Sequence, residues 1–421
     1  MYKIREIKID GFWYRFSAFC QFNDDVNIII GRNGTGKTTF MNILHSILSV
    51  DMDGLMDNEF EAAEVKLVKG KSVKTVKVTR ANSRNLPFCS FEYRVSRKKY
   101  VVRGLLQDDR RMPAHYRRRF IEESSELRQE LSDLVSLSSL SVYRLRSGDD
   151  FEIKDRSGKR LVSPVDFRLS QLKSSLTHYQ FEMSQKARSI SSKLQKDVLA
   201  SILYTGSSEN NFEIPDSFDK TEEKKRLTNA YARLGAADSE VRKKISYHIS
   251  AIDDAFESFR SHRKGKEISD INFAAIEGYF RTQNIMSMSL DAEEKIKEVF
   301  SHINLFIDTL KEFIPEKTFH LESGEIKVVG SDDNEIDVER LSSGEKQLLI
   351  LLIEALLQRQ KPFVYLADEP ELSLHIEWQR KVLPAVRRLN PEAQIIAATH
   401  SPEVASKYKG SLIDMKEVVS A

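Results

Sequence analysis

Cysteine is nearly absent: Cys20 and Cys89 are the two in 421 residues. Two thiols build no disulfide framework and no zinc site. Long apolar runs are missing as well. Stretches such as Phe363–Ala367 and Gln394–Ala398 fall far short of the roughly 20 residues a membrane span needs. The opening residues, MYKIREIKIDGF, hold no apolar segment that could serve as a signal-peptide core. Internal repeats and low-complexity tracts do not occur. These absences lead us to expect a soluble, cytoplasmic chain that does not enter a membrane. The composition, 40% hydrophobic with 30% charged residues, excludes wholesale disorder. The length suggests two to three folding units.

Charge is nearly balanced at +2, but it is unevenly placed. Residues 64–119 hold 17 Lys and Arg against 4 Asp and Glu, a local charge of +13. Such asymmetry is expected of a face that meets DNA or another polyanion. Ordinary solvated hairpin faces would give the same count, and the sequence leaves both readings open.

The first 50 residues read strand, loop, helix. Ile4, Ile7 and Ile9 start a strand, Val26–Ile30 is a short buried strand, and Phe40–Leu48 has the spacing of a helix on a sheet. Period-two alternation over 64–103 predicts two hairpins, the first turning at Lys69-Gly70-Lys71. Helix is expected over 114–135, a core strand over 139–145, and a hairpin over 151–162 turning at Ser157-Gly158. Pro164 precedes a long helix with an apolar stripe from Leu169 through Leu172, Leu176, Tyr179 and Met183 to Leu194. Residues 206–222 read as a loop. A second stripe, Leu227 to Phe259, predicts one helical run of about 50 Å at 1.5 Å per residue. A third, Ile296 to Phe313, keeps 3-4 spacing and ends before Pro315. Heptad-like spacing predicts helices packed along each other. Strands then return at 363–368 and 393–399.

Four motifs carry chemistry. Residues 31–38, Gly-Arg-Asn-Gly-Thr-Gly-Lys-Thr, fit G-x-x-x-x-G-K-[ST]. Backbone N–H groups from Arg32, Asn33, Gly34, Thr35 and Gly36 to Thr39 are expected to cradle phosphates, helped by the following helix N-terminus. Lys37 should reach the β- and γ-phosphates of ATP, and Thr38 should ligate Mg²⁺. Asp368 and Glu369 end an apolar strand, where the first can hold the Mg²⁺ shell and the second can orient the attacking water. Ser342, Ser343, Gly344 and Glu345 stand at a loop-to-helix junction that suits a γ-phosphate and is equally a Ser-x-x-Glu helix cap. His400 follows a core strand and could hydrogen-bond the γ-phosphate.

In this order, phosphate loop, LSSGE signature, DEPE strand end and Thr-His switch resemble the ABC-type ATPases, within them the SMC, RecF and OLD branch. The resemblance is firm over 1–50 and 335–405. It implies an α/β fold: an ABC-type P-loop ATPase core with an antiparallel β lobe and an inserted helical, short coiled-coil-like domain. The expected boundaries are 1–165, 166–315 and 316–421. It also implies ATP sandwiched between two protomers, the Ser342 signature of one completing the Lys37 site of the other, with Ser373 and His375 at the interface. Gln107 is a candidate for the glutamine loop. Departures narrow the reading. Transporter subunits place the signature much closer to the phosphate loop than the 310 residues found here. The zinc-hook C-x-x-C is missing. Only 21 residues follow His400, where OLD nucleases carry a Toprim domain. The expected function is therefore a slow ATPase working with a separate effector, such as a nuclease, similar to the ATPase subunits of PARIS and Septu anti-phage systems. The alternative is a RecF- or SMC-like DNA-repair or chromosome-maintenance ATPase.

Overall fold

A computed structural model describes residues 1–81, 88–105, 114–139, 151–155, 158–201, 218–233, 238–262, 272–322 and 324–420. The chain opens with β1 (Lys3–Phe12), β2 (Phe16–Gln21), β3 (Val26–Ile30), α1 (Lys37–Ser49) and α2 (Met52–Asp57). Next come β4 (Ala62–Lys69), β5 (Ser72–Ala81), β6 (Phe88–Val95), β7 (Lys98–Leu105), α3 (Ala114–Leu134) and β8 (Leu137–Ser139). A hairpin, β9 (Phe151–Asp155) and β10 (Gly158–Val162), precedes four helices: α4 (Pro164–Ser201), α5 (Lys220–Arg233), α6 (Ser239–His262) and α7 (Phe273–Phe313). After them lie β11 (Thr318–Glu322), β12 (Glu325–Val329), β13 (Glu335–Ile336), α8 (Ser343–Leu357) and β14 (Phe363–Asp368). The chain closes with α9 (Ile376–Leu389), β15 (Ala393–Ala398), α10 (Pro402–Ala405), β16 (Leu412–Asp414), α11 (Met415–Val418) and β17 (Val419–Ser420).

Two sheets share one core. The first is parallel, in the order β16-β3-β15-β14-β8. Every residue of β14 and β15 is buried, as expected for parallel strands covered on both faces. The second is antiparallel, in the order β17-β2-β1-β4-β5-β6-β7. Its strands alternate: Ala63, Val65 and Leu67 of β4 face inward, and so do Val76 and Val78 of β5. Helix α1 buries Phe40, Met41, Ile43, Leu44, Ile47 and Leu48 in a cluster that also takes residues of both sheets. The Tyr93 hydroxyl on β6 donates to the Ile47 carbonyl at 3.2 Å, tying the helix end to the antiparallel sheet.

The chain divides into two compact units, one of residues 1–179 with 302–421, the other of residues 180–301. Both divisions fall inside long helices, α4 and α7. The first turns of α4 are bound to the core unit by ion pairs, Arg168 to Glu354 at 2.7 Å and Asp166 to Lys346 at 2.7 Å. The last turns of α7 are bound by Phe313 against Trp378 and by Arg388 to Thr309 Oγ1 at 2.7 Å. The second unit has its own core of Leu227, Ile245, Ile249, Ile252, Phe256, Ile276 and Met286, with Phe218, Phe256 and Tyr279 in edge-to-face contact. The single run expected over 227–259 is two helices. Asp238 caps the second, its Oδ1 accepting from the Val241 N–H at 2.7 Å. The apolar stripe continues through that cap, so periodicity alone could not see the break. Of the expected strand 139–145, Ser139 falls in β8 and 140–145 lie outside the described residues. Residues 206–217 also lie outside them. Among the described residues no helix is long and apolar enough to cross a membrane.

One buried side chain joins the two sheets. Gln394 on β15 accepts from the Ile4 N–H at 2.8 Å, and its amide donates to the carbonyls of Ile4 at 2.7 Å and Asn23 at 2.8 Å. It binds the Ile4 backbone beyond the last β1–β2 pair, Glu6 with Gln21. Gln394→Leu would leave two buried backbone groups of Ile4 without partners, at about 2–4 kcal/mol. Urea unfolding should show that loss, and an unchanged midpoint would mean that Ile4 finds other partners.

Candidate active site

Ile29 of β3, Ala398 of β15 and Asp368 of β14 pair side by side in one parallel row. The chain leaves all three strands there. The Glu369 N–H donates to the Ala398 carbonyl at 2.8 Å, and the Thr399 N–H to the Ile29 carbonyl at 3.1 Å. Three loops thus start at one edge: the phosphate loop, the acid pair and the switch. Carboxyl ends of parallel strands are where open α/β sheets place ligands.

The phosphate loop needs its glycines. Gly34 and Gly36 have φ of +80° and +92°. A Cβ on Gly36 would meet ring atoms of Phe12 and Trp13 at 2.9 Å. Thr35 Oγ1 donates to the Arg32 carbonyl at 2.8 Å and closes the turn. Lys37 is buried and donates to the Gly31 carbonyl at 2.9 Å and to His400 Nε2 at 2.7 Å. Burial pushes its pKa down, against the pull of the Asp368, Glu369 and Glu371 carboxylates. Thr38 and Thr39 line a cavity together with Gly34, Gly36 and Lys37.

Asp368 is buried at its strand end. Glu369 holds φ at +51°, an unfavourable region for a residue with a Cβ, and its Oε1 lies 3.9 Å from His400 Nε2. Two adjoining cavities of about 610 and 340 Å³ meet at Asn33, Glu369 and His400. The donor set is a threonine hydroxyl and carboxylates. Among the described residues no cluster of three or more His, Cys, Asp or Glu forms a metal cage. Oxygen donors with few protein ligands fit Mg²⁺, which keeps waters and takes phosphate oxygens.

The signature residues do not line either cavity. They form a complete capping box: Glu345 N–H donates to Ser342 Oγ at 3.3 Å, and Ser342 N–H to Glu345 Oε2 at 2.9 Å. Ser342 and Ser343 are exposed, while Gly344 and Glu345 are buried. A Cβ on Gly344 would meet the Ser373 carbonyl oxygen at 2.5 Å, so the glycine lets the 369–374 loop approach α8. Burial would raise the Glu345 pKa, but Lys317 and the Ser342 donors outweigh it and hold the carboxyl below its ordinary value.

Several lining residues went unnoticed in the sequence. Trp13 lines the phosphate-loop cavity from the β1–β2 turn, with φ of +54°. No residue pattern announces a tryptophan in that conformation. Glu371, Gln379 and Ser401 line the larger cavity. Glu371 stood in view within DEPE, but its partners are set by strand order. Gln107 lies outside the described residues, and so do the side chains of Arg117, Arg118 and Arg119. In the basic lobe, acids distant in sequence join the surface: Glu6 pairs with Lys66 at 2.7 Å and Glu130 with Lys98 at 3.0 Å. Glu92 pairs with both Arg94 and Lys99. Glu92 is already within the count of +13, but Glu6 and Glu130 are not, so the count overstates the charge around Lys66 and Lys98.

A glycine-rich phosphate loop and an acid-ended strand, with His400 at the end of the strand between them, define a P-loop ATPase. Residues 2–405 match the AAA ATPase domain family, and the chain belongs to it. It is an ATPase. Among curated relatives, it is 31% identical over 90 residues to the Septu protein PtuA of Bacillus thuringiensis, covering 18% of this chain and 23% of that protein. It is 26% identical over 195 residues to the Retron Vc95 probable ATPase of Vibrio cholerae serotype O1 biovar El Tor, covering 43% of this chain and 34% of that one. The chain thus matches about a quarter to a third of these relatives' length. Similar solved structures include an Smc head domain with an extended coiled coil, bound to the C-terminal domain of ScpA, derived from Pyrococcus furiosus. It is 14% identical, covers 96% of this chain and 92% of that chain, and gives a TM-score of 0.44. The SMC head domain from Thermotoga maritima is 14% identical, with coverage of 96% and 91% and a TM-score of 0.39.

The depressed Glu345 pKa has a defined pH signature. Its contribution to stability is present above the unfolded carboxylate pKa and is lost as pH falls through the folded value. Lys317→Met removes the main cation and should cost about 1–3 kcal/mol near neutral pH. The deficit should shrink once pH drops below the carboxylate range, as Glu345 is protonated in both proteins. Urea unfolding at the two pH values measures this, and a deficit independent of pH would contradict the ion-pair account.

Proposed function

We propose that this ATPase is the sensor subunit of an anti-phage system, closing as a homodimer around ATP and signalling to a separate effector, a nuclease in this reading. The observation that carries it is the convergence of Lys37, Asp368, Glu369 and His400 on one row of strand ends, while Ser342 and Ser343 stay exposed and line neither cavity. A signature left outside its own phosphate site suits completion by a second copy. The likeness to PtuA and to the retron ATPase supports the defence setting.

Backbone N–H groups over 32–39 bind the phosphates, and Lys37 exchanges His400 for the β- and γ-phosphate oxygens. Thr38 and Asp368 would hold Mg²⁺, which neutralises charge on the transferring phosphoryl group. Glu369 orients the attacking water. His400, released from Lys37, donates to the γ-phosphate. Trp13, seated on Gly36, offers an aromatic face to the nucleotide.

Glu369→Gln should slow ATP hydrolysis by about 10²–10⁴ and trap the ATP-bound state. Phosphate release and retention of labelled ATP measure this, and hydrolysis at the wild-type rate would remove Glu369 from the reaction. The dimer has its own test. Lys37→Ala and Ser342→Arg proteins, each inactive alone, should recover part of the wild-type rate when mixed, because one composite site is intact. Absence of recovery in mixtures shown to form mixed dimers would refute completion in trans.

A further inference from the structure

Glu371 has no role in the reading above. It is 9% exposed, two residues after Glu369, in a turn closed by Leu372 N–H to the Glu369 carbonyl at 3.0 Å and Leu374 N–H to the Glu371 carbonyl at 2.9 Å. One carboxylate oxygen, Oε1, accepts three hydrogen bonds. They come from the Thr399 hydroxyl, the His400 N–H at 3.2 Å and the Ser401 N–H at 3.2 Å. All three donors belong to the strap that carries the switch histidine. The strap is braced further by Ser401 N–H to Thr399 Oγ1 at 2.9 Å and by Ser401 Oγ to Gln379 Oε1 at 2.7 Å. The second oxygen, Oε2, is buried and has no hydrogen-bond partner among the described residues.

Stability alone does not favour this arrangement. A buried carboxylate with one oxygen unpaired is costly, and a neutral acceptor would serve three donors without burying charge. An ionised acceptor does one thing better: its hydrogen bonds are shorter and roughly twice as strong. The carboxylate therefore fixes the strap more tightly than an amide could. Because Glu369 and Glu371 share one turn, the water-orienting acid and the histidine are held in one frame. Glu371 also borders the larger cavity beside Glu369 and His400.

We propose that Glu371 is a positioning residue for ATP hydrolysis, acting through His400. This rests on the role of His400 given above. Small displacements of a reacting group can cost about a hundredfold in rate. Glu371→Gln should therefore lower kcat by about tenfold to a hundredfold, with KM and ATP affinity changed less than about threefold. The test is a double-mutant cycle with His400→Ala, read as kcat and KM for ATP, with urea midpoints for every variant. The double variant should be no slower than His400→Ala alone. Thr399→Val, which removes one donor to the same oxygen, should repeat the kcat loss on a smaller scale and covers the case in which Glu371→Gln does not fold. A wild-type kcat in both Glu371→Gln and Thr399→Val, beside a slow His400→Ala, overturns this inference alone. Losses that multiply in the double variant overturn it as well, since Glu371 would then act independently of the histidine. A wild-type rate in His400→Ala overturns the reading of the histidine and this inference with it.

Discussion

Ile29, Ala398 and Asp368 stand abreast in one parallel ladder, and the loops that carry three of the four motifs begin where the chain leaves that row. The phosphate loop ends at Thr39, more than 300 residues before Asp368 and Glu369, and Thr399 and His400 follow that pair after another β-α-β crossover. They meet because β3, β15 and β14 are neighbours in the sheet with aligned ends. A register slip of one residue would reverse the faces of each strand and move its loop along the ladder. Complete burial of β14 and β15 makes such a slip costly, so the sheet interior secures the geometry of its edge.

The helix carrying the signature is held from several directions. Glu345 binds Lys317, Lys346 binds Asp166, and the buried Glu354 takes two nitrogens of Arg168. Asp166 and Arg168 stand in the first turns of α4, and Lys317 follows α7. The roots of the helical insertion are thus fastened to α8 by charged pairs. Glu354 is 2% exposed, and a carboxylate so buried is tolerable only with its guanidinium in place. The 369–374 loop also rests on α8 at Gly344. Signature helix, insertion roots and acid loop form one mechanical neighbourhood.

The antiparallel sheet supports the site from the other side. Trp13, on the turn between β1 and β2, closes over Gly36, and Gln394 binds β15 to β1. Its outward face is less basic than the sequence count implies, because Glu6 and Glu130 reach Lys66 and Lys98 from distant segments. Short-range charge counting misses partners brought in by strand pairing and by α3.

The motifs over 31–39, 341–347, 368–371 and 399–400 were legible from the chain alone, since each is a local rule about glycine, capping or acid placement. So were the hairpin at Gly70, the start of α4 at Pro164 and the apolar stripes. Local patterns survive in sequence because they depend on neighbours a few residues apart. The tertiary structure alone decided the rest. It split the 227–259 stripe at Asp238, set Trp13 on the phosphate loop and paired Lys37 with His400. It also turned Glu371 toward residues 399–401 and filled the Glu345 carboxylate with Lys317. Each of these depends on which strands are adjacent and in what register. That choice is made by burial over the whole core, and no short window of sequence contains it.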